Sequence, residues 1–279
     1  MNLLFAIDRA FVPLLLSCLN SVVLRGGADH YDAYVLHTDL LPGDMEDLRS
    51  SADSRVSFHF LTVPTELFRG FPESRRYPVQ IYYRLAAPHI LPDDLERILY
   101  LDVDTVIINP LDELYHVDFG GNLFAACTHT KAFLEKFNQL RLNLEKDVPY
   151  INTGIMMMNL PLLRRELDLG AIREYGLAHQ HQLVLPDQDI LTALYGDRVK
   201  LVDSLRYNLS DRTLAFYNAD PLNPDLDLEW VRENAVIIHY FGKNKPWKPH
   251  YHGVLDVFYQ QYGLPLPSKS EDEAEEPPL

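Results

Sequence analysis

Near the N-terminus, where many nucleotide-handling enzymes place a glycine-rich phosphate loop, this chain has none. The segment reads Phe5-Ala6-Ile7-Asp8-Arg9-Ala10, without a glycine. That counts against a nucleotidyltransferase, which normally cradles phosphates on such a loop. Cysteine is nearly absent: Cys18 and Cys127 are the two in 279 residues, and neither has a CxxC partner. A cysteine-held metal is not supported, and two thiols in apolar runs are expected to be buried in a reducing compartment. Basic residues are in deficit, 25 against 40 acidic, for a formal net charge of -15. A chain this acidic is poorly suited to neutralising nucleic-acid phosphates. Long hydrophobic runs are missing as well. The nearest approach, residues 11–24, contains Ser17 and Asn20, follows Asp8, and has no basic segment before Arg9. It is too short for a membrane span and lacks the pattern of a signal peptide, so a core helix and a cytoplasmic protein are expected.

What is present is enough apolar material, 47% of residues, to bury a sizeable core. Apolar runs at 2–7, 31–38, 56–63 and 97–101 read as strands. Helical stretches from about residue 11, at 42–50 and after Pro78 separate them; in the last, Ile81, Tyr82, Leu85 and Ala86 recur at helical spacing. The alternation predicts an α/β fold with a mainly parallel central sheet flanked by helices. Unbroken apolar strands fit a sheet covered on both faces. Further on, 123–127, 154–160 and 235–240 are strand-like, 187–195 is helical, and the proline- and acid-rich 220–229 reads as a surface loop. Residues 1–267 are expected to form a single domain. The tail 268–279, with Glu271, Asp272, Glu273, Glu275 and Glu276 before Pro277-Pro278-Leu279, is too polar to pack and is expected to be disordered.

The chemistry concentrates at two strand ends. Asp102 and Asp104 follow the apolar run Ile98-Leu99-Tyr100-Leu101. In extended backbone, residues two apart point to one side, and ligands of open α/β sheets bind beyond the carboxyl ends of the strands. Paired carboxylates there offer hard oxygen ligands to Mg²⁺ or Mn²⁺, although Asp-X-Asp alone also occurs in ordinary turns. The second strand end, Val236-Ile237-Ile238, runs into His239, with Gly242 and Lys245 following at three-residue steps. An imidazole added to two carboxylates favours Mn²⁺ over Mg²⁺. Gly242 permits close backbone approach to a phosphate, and Lys245 supplies a point charge for it.

Together these segments resemble the family 8 retaining glycosyltransferases, the group that includes glycogenin and bacterial lipopolysaccharide galactosyl- and glucosyltransferases. The resemblance is carried in order by Phe5-Ala6-Ile7-Asp8, Tyr83-Arg84-Leu85, Leu99-Tyr100-Leu101-Asp102-Val103-Asp104, Asn152-Thr153-Gly154, Asp187-Gln188-Asp189 and the run from His239 to Trp247. It implies the GT-A nucleotide-sugar fold, with Asp102, Asp104 and His239 holding Mn²⁺ against the diphosphate of a UDP-sugar. It places Lys245 and Gly242 at the phosphates, Ala6 and Asp8 near the uridine, Val103 within the donor site, and Arg84 near the sugar and phosphates. Asn152 and Gly154 would flank the donor sugar, Asp187 would bind its hydroxyls, and Gln188 would lie beneath the anomeric carbon. Beside these stand simpler roles: Asp8 and Asp187 as helix caps, Arg84 as a surface ion pair, Asn152 and Gly154 as a turn. The sequence departs from the family at Ala10, where many members carry a polar nucleoside-binding residue. Phe11 beside it could stack on a uracil or simply begin the buried helix.

Retention through a covalent intermediate would need a carboxylate below the sugar. The matching residue is Gln188, so transfer on one face of the sugar is expected instead. The implied partners are a UDP-hexose donor, galactose or glucose, and a saccharide or glycolipid acceptor of a cell-surface glycan. The basic and aromatic residues Trp247, Lys248, Tyr251, Phe258 and Tyr259 could touch the inner face of a membrane, whose anionic lipids would repel the acidic tail. The alternatives to transfer are a nucleotidyltransferase and a non-catalytic UDP-sugar-binding module.

Overall fold

A computed structural model describes residues 1–73, 78–128, 138, 140–142, 144 and 148–266. The expected acidic tail lies outside the described residues.

Three parallel strands open the fold: β1 (Asn2–Ala6), β2 (Tyr31–His37) and β3 (Val56–Thr62). Helices α1 (Val12–Arg25) and α2 (Pro42–Ser51) form the crossovers, each with proline in its first turn, where no amide partner is lost. After Pro78 the chain makes a 3-10 turn, Val79–Tyr82, and only then the helix α3 (Tyr83–Ile90). Strand β4 (Arg97–Leu101) joins β1 in parallel. Then β5 (Thr105–Ile107), β6 (Phe124–Thr128) and β7 (Ile151–Asn159) follow. Helices α4 (Leu160–Glu166), α5 (Leu169–His179) and α6 (Pro186–Tyr195) lead to β8 (Val199–Leu201). The last elements are α7 (Asp211–Asn218), α8 (Leu228–Asn234), β9 (Ile237–His239) and α9 (Asp256–Tyr262).

The central sheet has seven strands in the order β3-β2-β1-β4-β7-β6-β8. It is mainly parallel, as expected, but β7 runs antiparallel to both β4 and β6. Alternation along the strands divides the core. Leu3, Phe5, Ala33, Val35, Leu99 and Leu101 face α1, where Leu15, Cys18, Leu19 and Val22 meet them. Leu4, Tyr34, Leu36, Ile98, Tyr100 and Met156 face the other way, onto Leu85 and Ala86 of α3. Covering both faces explains why the strands read as unbroken apolar runs. Both cysteines are buried and free, as expected, and burial pushes each thiol up to about 12.

Two readings need correction. The strand expected at 235–240 is shorter, Ile237–His239, and it pairs with β5 in a separate two-stranded ribbon. The strand expected at 154–160 begins three residues earlier, at Ile151, so Asn152, Thr153 and Gly154 lie in buried strand rather than in a turn. The proline- and acid-rich stretch before α8 is an exposed loop, with Leu222 92% exposed. Among the described residues no helix is long and apolar enough to cross a membrane.

Candidate active site

Strand β4 stops at Leu101, and Asp102-Val103-Asp104 makes a tight turn into β5. The two aspartates therefore converge through a turn and not through the two-residue period of a strand. Val103 packs against the core on the α1 side and holds the turn down. Antiparallel pairing brings the start of β7 beside the end of β4, and the Asp102 amide donates to the Gly154 carbonyl at 2.7 Å. The β5–β9 ribbon pairs Thr105 with His239, and the Tyr240 amide donates to the Asp104 carbonyl at 2.9 Å. Backbone pairing thus collects the side chains of Asp102, Asp104 and His239 at one point, over the bare backbone of Gly154.

There, His239 Nε2 lies 3.1 Å from Asp104 Oδ1 and 3.8 Å from Asp102 Oδ2. One ligand atom from each of the three residues falls within 4.8 Å of the others. Asp104 Oδ1 and His239 Nε2 are both buried, and neither has a hydrogen-bond partner among the described residues. His239 Nδ1 is 2.8 Å from Asn208 Oδ1. An amide oxygen only accepts, so Nδ1 donates, and in the neutral ring the Nε2 lone pair faces the carboxylates. Buried acceptors without partners are costly unless a cation joins them. Two oxygens and one imidazole nitrogen suit a divalent ion such as Mn²⁺ or Mg²⁺. Gly154 forms the floor: a Cβ there would stand 2.5 Å from Asp102 Oδ2 and 2.5 Å from His239 Cε1.

Lys245 is buried, 1% exposed, and its ammonium donates to Asp104 Oδ2 at 2.6 Å and to the Tyr240 carbonyl at 2.8 Å. Burial acts to raise the Asp104 pKa, but the Lys245 ammonium together with His239 outweighs it and holds the carboxyl far below its ordinary range. The sequence casts Lys245 as a phosphate ligand; in the structure its first partner is the Asp104 carboxylate. Gly242 sits at φ 83°, a left-handed conformation that favours glycine, with open space where a Cβ would project.

Arg84 is not a surface residue. It donates to the Thr153 carbonyl at 2.6 Å, lies 3.3 Å from Asp102 Oδ1 and 3.7 Å from Asp187 Oδ2, and stacks over the Tyr100 ring at 4.5 Å. Burial opposes its charge, yet Asp102 leads the neighbours that hold the guanidinium pKa above its usual value. Tyr100 donates its hydroxyl to Asp102 Oδ1 at 2.7 Å. Asp187 accepts from the Thr153 hydroxyl at 2.9 Å. Burial raises the Asp187 pKa, against the opposing pull of Arg84.

The Asp187-Gln188-Asp189 run divides by helix geometry. Asp189 is fully buried and accepts from both Arg141 terminal nitrogens at 2.7 Å, from Tyr150 at 2.6 Å, and from the Val184 and Leu185 amides. Gln188 is 4% exposed, with no hydrogen-bond partner for its amide nitrogen among the described residues. Asn152 Oδ1 accepts from the Gly154 amide at 3.0 Å and so braces the floor. At the N-terminal end the simpler reading has its contact: Asp8 caps the 3-10 turn Arg9–Phe11, accepting from Ala10 at 2.8 Å. Ala6 closes β1 against the α3-side core, and Phe11 packs against the core on the α1 side.

Sequence reasoning missed Asn208 and Tyr100 as supports. Tyr100 stands inside a quoted motif and its position two before Asp102 was a usable signal. Asn208 has none, being brought to His239 by the pairing of Leu209 with Ile238.

The family model for glycosyl transferase family 8 matches residues 2–250. A lipopolysaccharide 1,2-glucosyltransferase of Escherichia coli is 28% identical over 191 residues, 66% of this chain and 54% of that protein. The lipopolysaccharide 1,3-galactosyltransferase of Salmonella typhimurium is 25% identical over 285 residues, 96% of this chain and 78% of its own length. The chain therefore spans about half the length of the first relative and about three quarters of the second. The crystal structure of galactosyltransferase LgtC with donor and acceptor sugar analogues shares the fold, with a TM-score of 0.79 at 24% identity over 98% of both chains. With a family match that begins at the first strand and runs past the last, the chain belongs to glycosyl transferase family 8 and is a glycosyltransferase of the GT-A fold.

Proposed function

We propose that this glycosyltransferase moves a hexose, galactose or glucose, from a UDP-sugar to a hydroxyl of a cell-surface saccharide or glycolipid, with retention at the anomeric carbon and with Mn²⁺ bound. The observation that carries the reading is the pair of buried, unpartnered acceptors, Asp104 Oδ1 and His239 Nε2, 3.1 Å apart above a glycine floor. Asp102, Asp104 and His239 would hold the ion, which when bound supplies Lewis-acid stabilisation to charge on a leaving diphosphate. The hexose and the glycan acceptor are supported by the names of the two relatives, both of which act on lipopolysaccharide.

The protein's own groups divide the remaining work. Lys245 gives two of its three N–H donors to Asp104 and Tyr240, and we assign the third to the diphosphate. Arg84 ties Asp102 to Asp187, so the metal side and the sugar side of the donor site are set by one guanidinium. Asp187 takes sugar hydroxyls. Neither neighbouring carboxylate is a ready nucleophile: Asp189 is sealed by Arg141 and Tyr150, and Asp187 is engaged by Thr153. Gln188 has only an amide to offer. The acceptor hydroxyl therefore enters on the face that the diphosphate leaves. The bond from the anomeric carbon to the phosphate oxygen breaks, that to the acceptor oxygen forms, and the acceptor proton passes to the departing phosphate.

A panel of UDP-sugars with Mn²⁺, Mg²⁺ or chelator tests this, read by UDP release and by NMR of the product's anomeric configuration. Release of UDP from one UDP-hexose, dependent on metal and yielding a retained linkage, is expected. Pyrophosphate formation, or binding of UDP without turnover on any acceptor, would sink the proposal. Gln188→Ala should slow transfer without abolishing it, and a sugar trapped covalently on Asp187 or Asp189 would overturn the one-face route.

A further inference from the structure

Beside the metal cluster opens a pocket of about 230 Å³ lined by residues 210–212, 239–244 and 251. It shares His239 with the cluster and Gly242 with the residues expected at the phosphates, while Asp102, Asp104, Arg84, Asp187, Gln188 and Lys245 do not line it. The pocket therefore opens at the phosphate end of the donor site and continues past it to Arg212 and Lys243. Its walls are fastened. Asn244 and His252 exchange two hydrogen bonds, at 2.6 and 3.0 Å. Asp211 accepts from the Tyr251 hydroxyl and from the Val254 amide at 2.7 Å. Asp211, the acid in the lining, is thus consumed by its own loop.

Two cations in the lining are not consumed. Arg212 and Lys243 are exposed, and among the described residues neither forms an ion pair with a carboxylate. Arg212 lies over the Phe216 ring, 5.3 Å from its centroid. In a chain with a net charge of -15, several arginines at the surface of this fold, Arg9, Arg198 and Arg206 among them, are matched by acids. Two free cations flanking a fastened pocket make a local anion site.

We propose that this pocket receives the acceptor, and that the acceptor is an acidic saccharide whose phosphate or carboxylate lies between Arg212 and Lys243. This rests on the glycosyltransferase reading above and adds the charge class of the substrate.

The test uses the full chain saturated with Mn²⁺ and UDP, titrated calorimetrically with glucose 6-phosphate, glucuronate and methyl glucoside. The charged sugars should bind at least about tenfold tighter than the neutral one, and an Arg212→Ala, Lys243→Ala double variant should lose that margin. UDP affinity should stay the same. Equal binding of charged and neutral sugars overturns the inference. So does a parallel fall in UDP affinity, which would return both cations to the donor diphosphate. Arg212- and Lys243-dependent capture by phosphatidylglycerol vesicles, with no preference among the sugars, would assign the cations to a membrane and also overturn it. Failure of the wild type to bind UDP with Mn²⁺ would instead sink the donor reading itself.

Discussion

A Cβ added to Gly154 would stand 2.5 Å from Asp102 Oδ2, so the strand that neighbours the first aspartate has room for hydrogen alone. The residue is strand backbone without positive φ, and the constraint is the side chains above it. Gly154→Ala should displace Asp102 and His239 together. Mn²⁺ affinity, read by electron paramagnetic resonance of free ion, should fall about 10–100-fold, the range seen when metal ligands lose their support. Circular dichroism should show the fold retained. Unchanged affinity would mean that these side chains do not hold the metal.

Asn208 should matter to the metal without touching it. Removing its carboxamide leaves His239 Nδ1 buried and unpaired and releases the tautomer. Asn208→Ala is expected to weaken Mn²⁺ binding about 10–100-fold. Asn208→Asp keeps an acceptor at the same place and should recover most of the loss. A purely structural role for Asn208 would give two variants equally impaired in thermal stability and indistinguishable in metal affinity.

Asp187 should show a conflict between activity and stability. Burial raises its pKa in the folded chain above the unfolded value. The native state therefore keeps this proton to higher pH. The group weakens folding as pH climbs from the unfolded to the folded pKa, with the full penalty above the latter. Asp187→Asn keeps an oxygen for the Thr153 hydroxyl and removes the buried charge. At pH 7 without donor, its Tm should rise by about 2–4 °C, with the advantage shrinking in acid, while transfer activity falls. A lower Tm at pH 7 would show that the Arg84 pairing outweighs the burial.

Two positions on, the opposite is expected. Asp189 has no exposed surface and is held bidentately by Arg141. Asp189→Ala would leave the Arg141 guanidinium, 11% exposed, without its carboxylate. Breaking such a buried pair costs about 3–5 kcal/mol, so urea unfolding should shift to markedly lower midpoint. A stable, inactive Asp189→Ala variant would show that the residue serves chemistry instead.

The first four strands of the sheet were legible because each is a continuous apolar run between turn residues, as in Leu3-Leu4-Phe5. The direction of β7 was not, since Ile155-Met156-Met157-Met158 supplies both core faces equally and carries no sign of its partner. The three-residue strands β5 and β8 are too short for a periodic signal, and pairing alone defines them, while β9 was legible as an apolar run whose ends the pairing with β5 trims. At the site, Asp102, Asp104 and His239 were readable from type and position after apolar runs. Their convergence was not: it comes from a turn at Val103 and a ribbon that joins distant segments. Lys245 was found by charge, while its burial against Asp104 depends on packing that no local pattern encodes.

The β5–β9 ribbon has a consequence for how the protein comes to life. Thr105 pairs with His239, and Asp104 meets Lys245 across 141 positions of chain. Contacts so far apart in sequence carry a large closure cost and form late. During synthesis, β1 to β4 can assemble while the segment bearing the histidine is still unmade. The nascent chain then displays Asp102 and Asp104 but not the imidazole that meets them. If the proposed ion binds there, its capture would mark a molecule that has already closed.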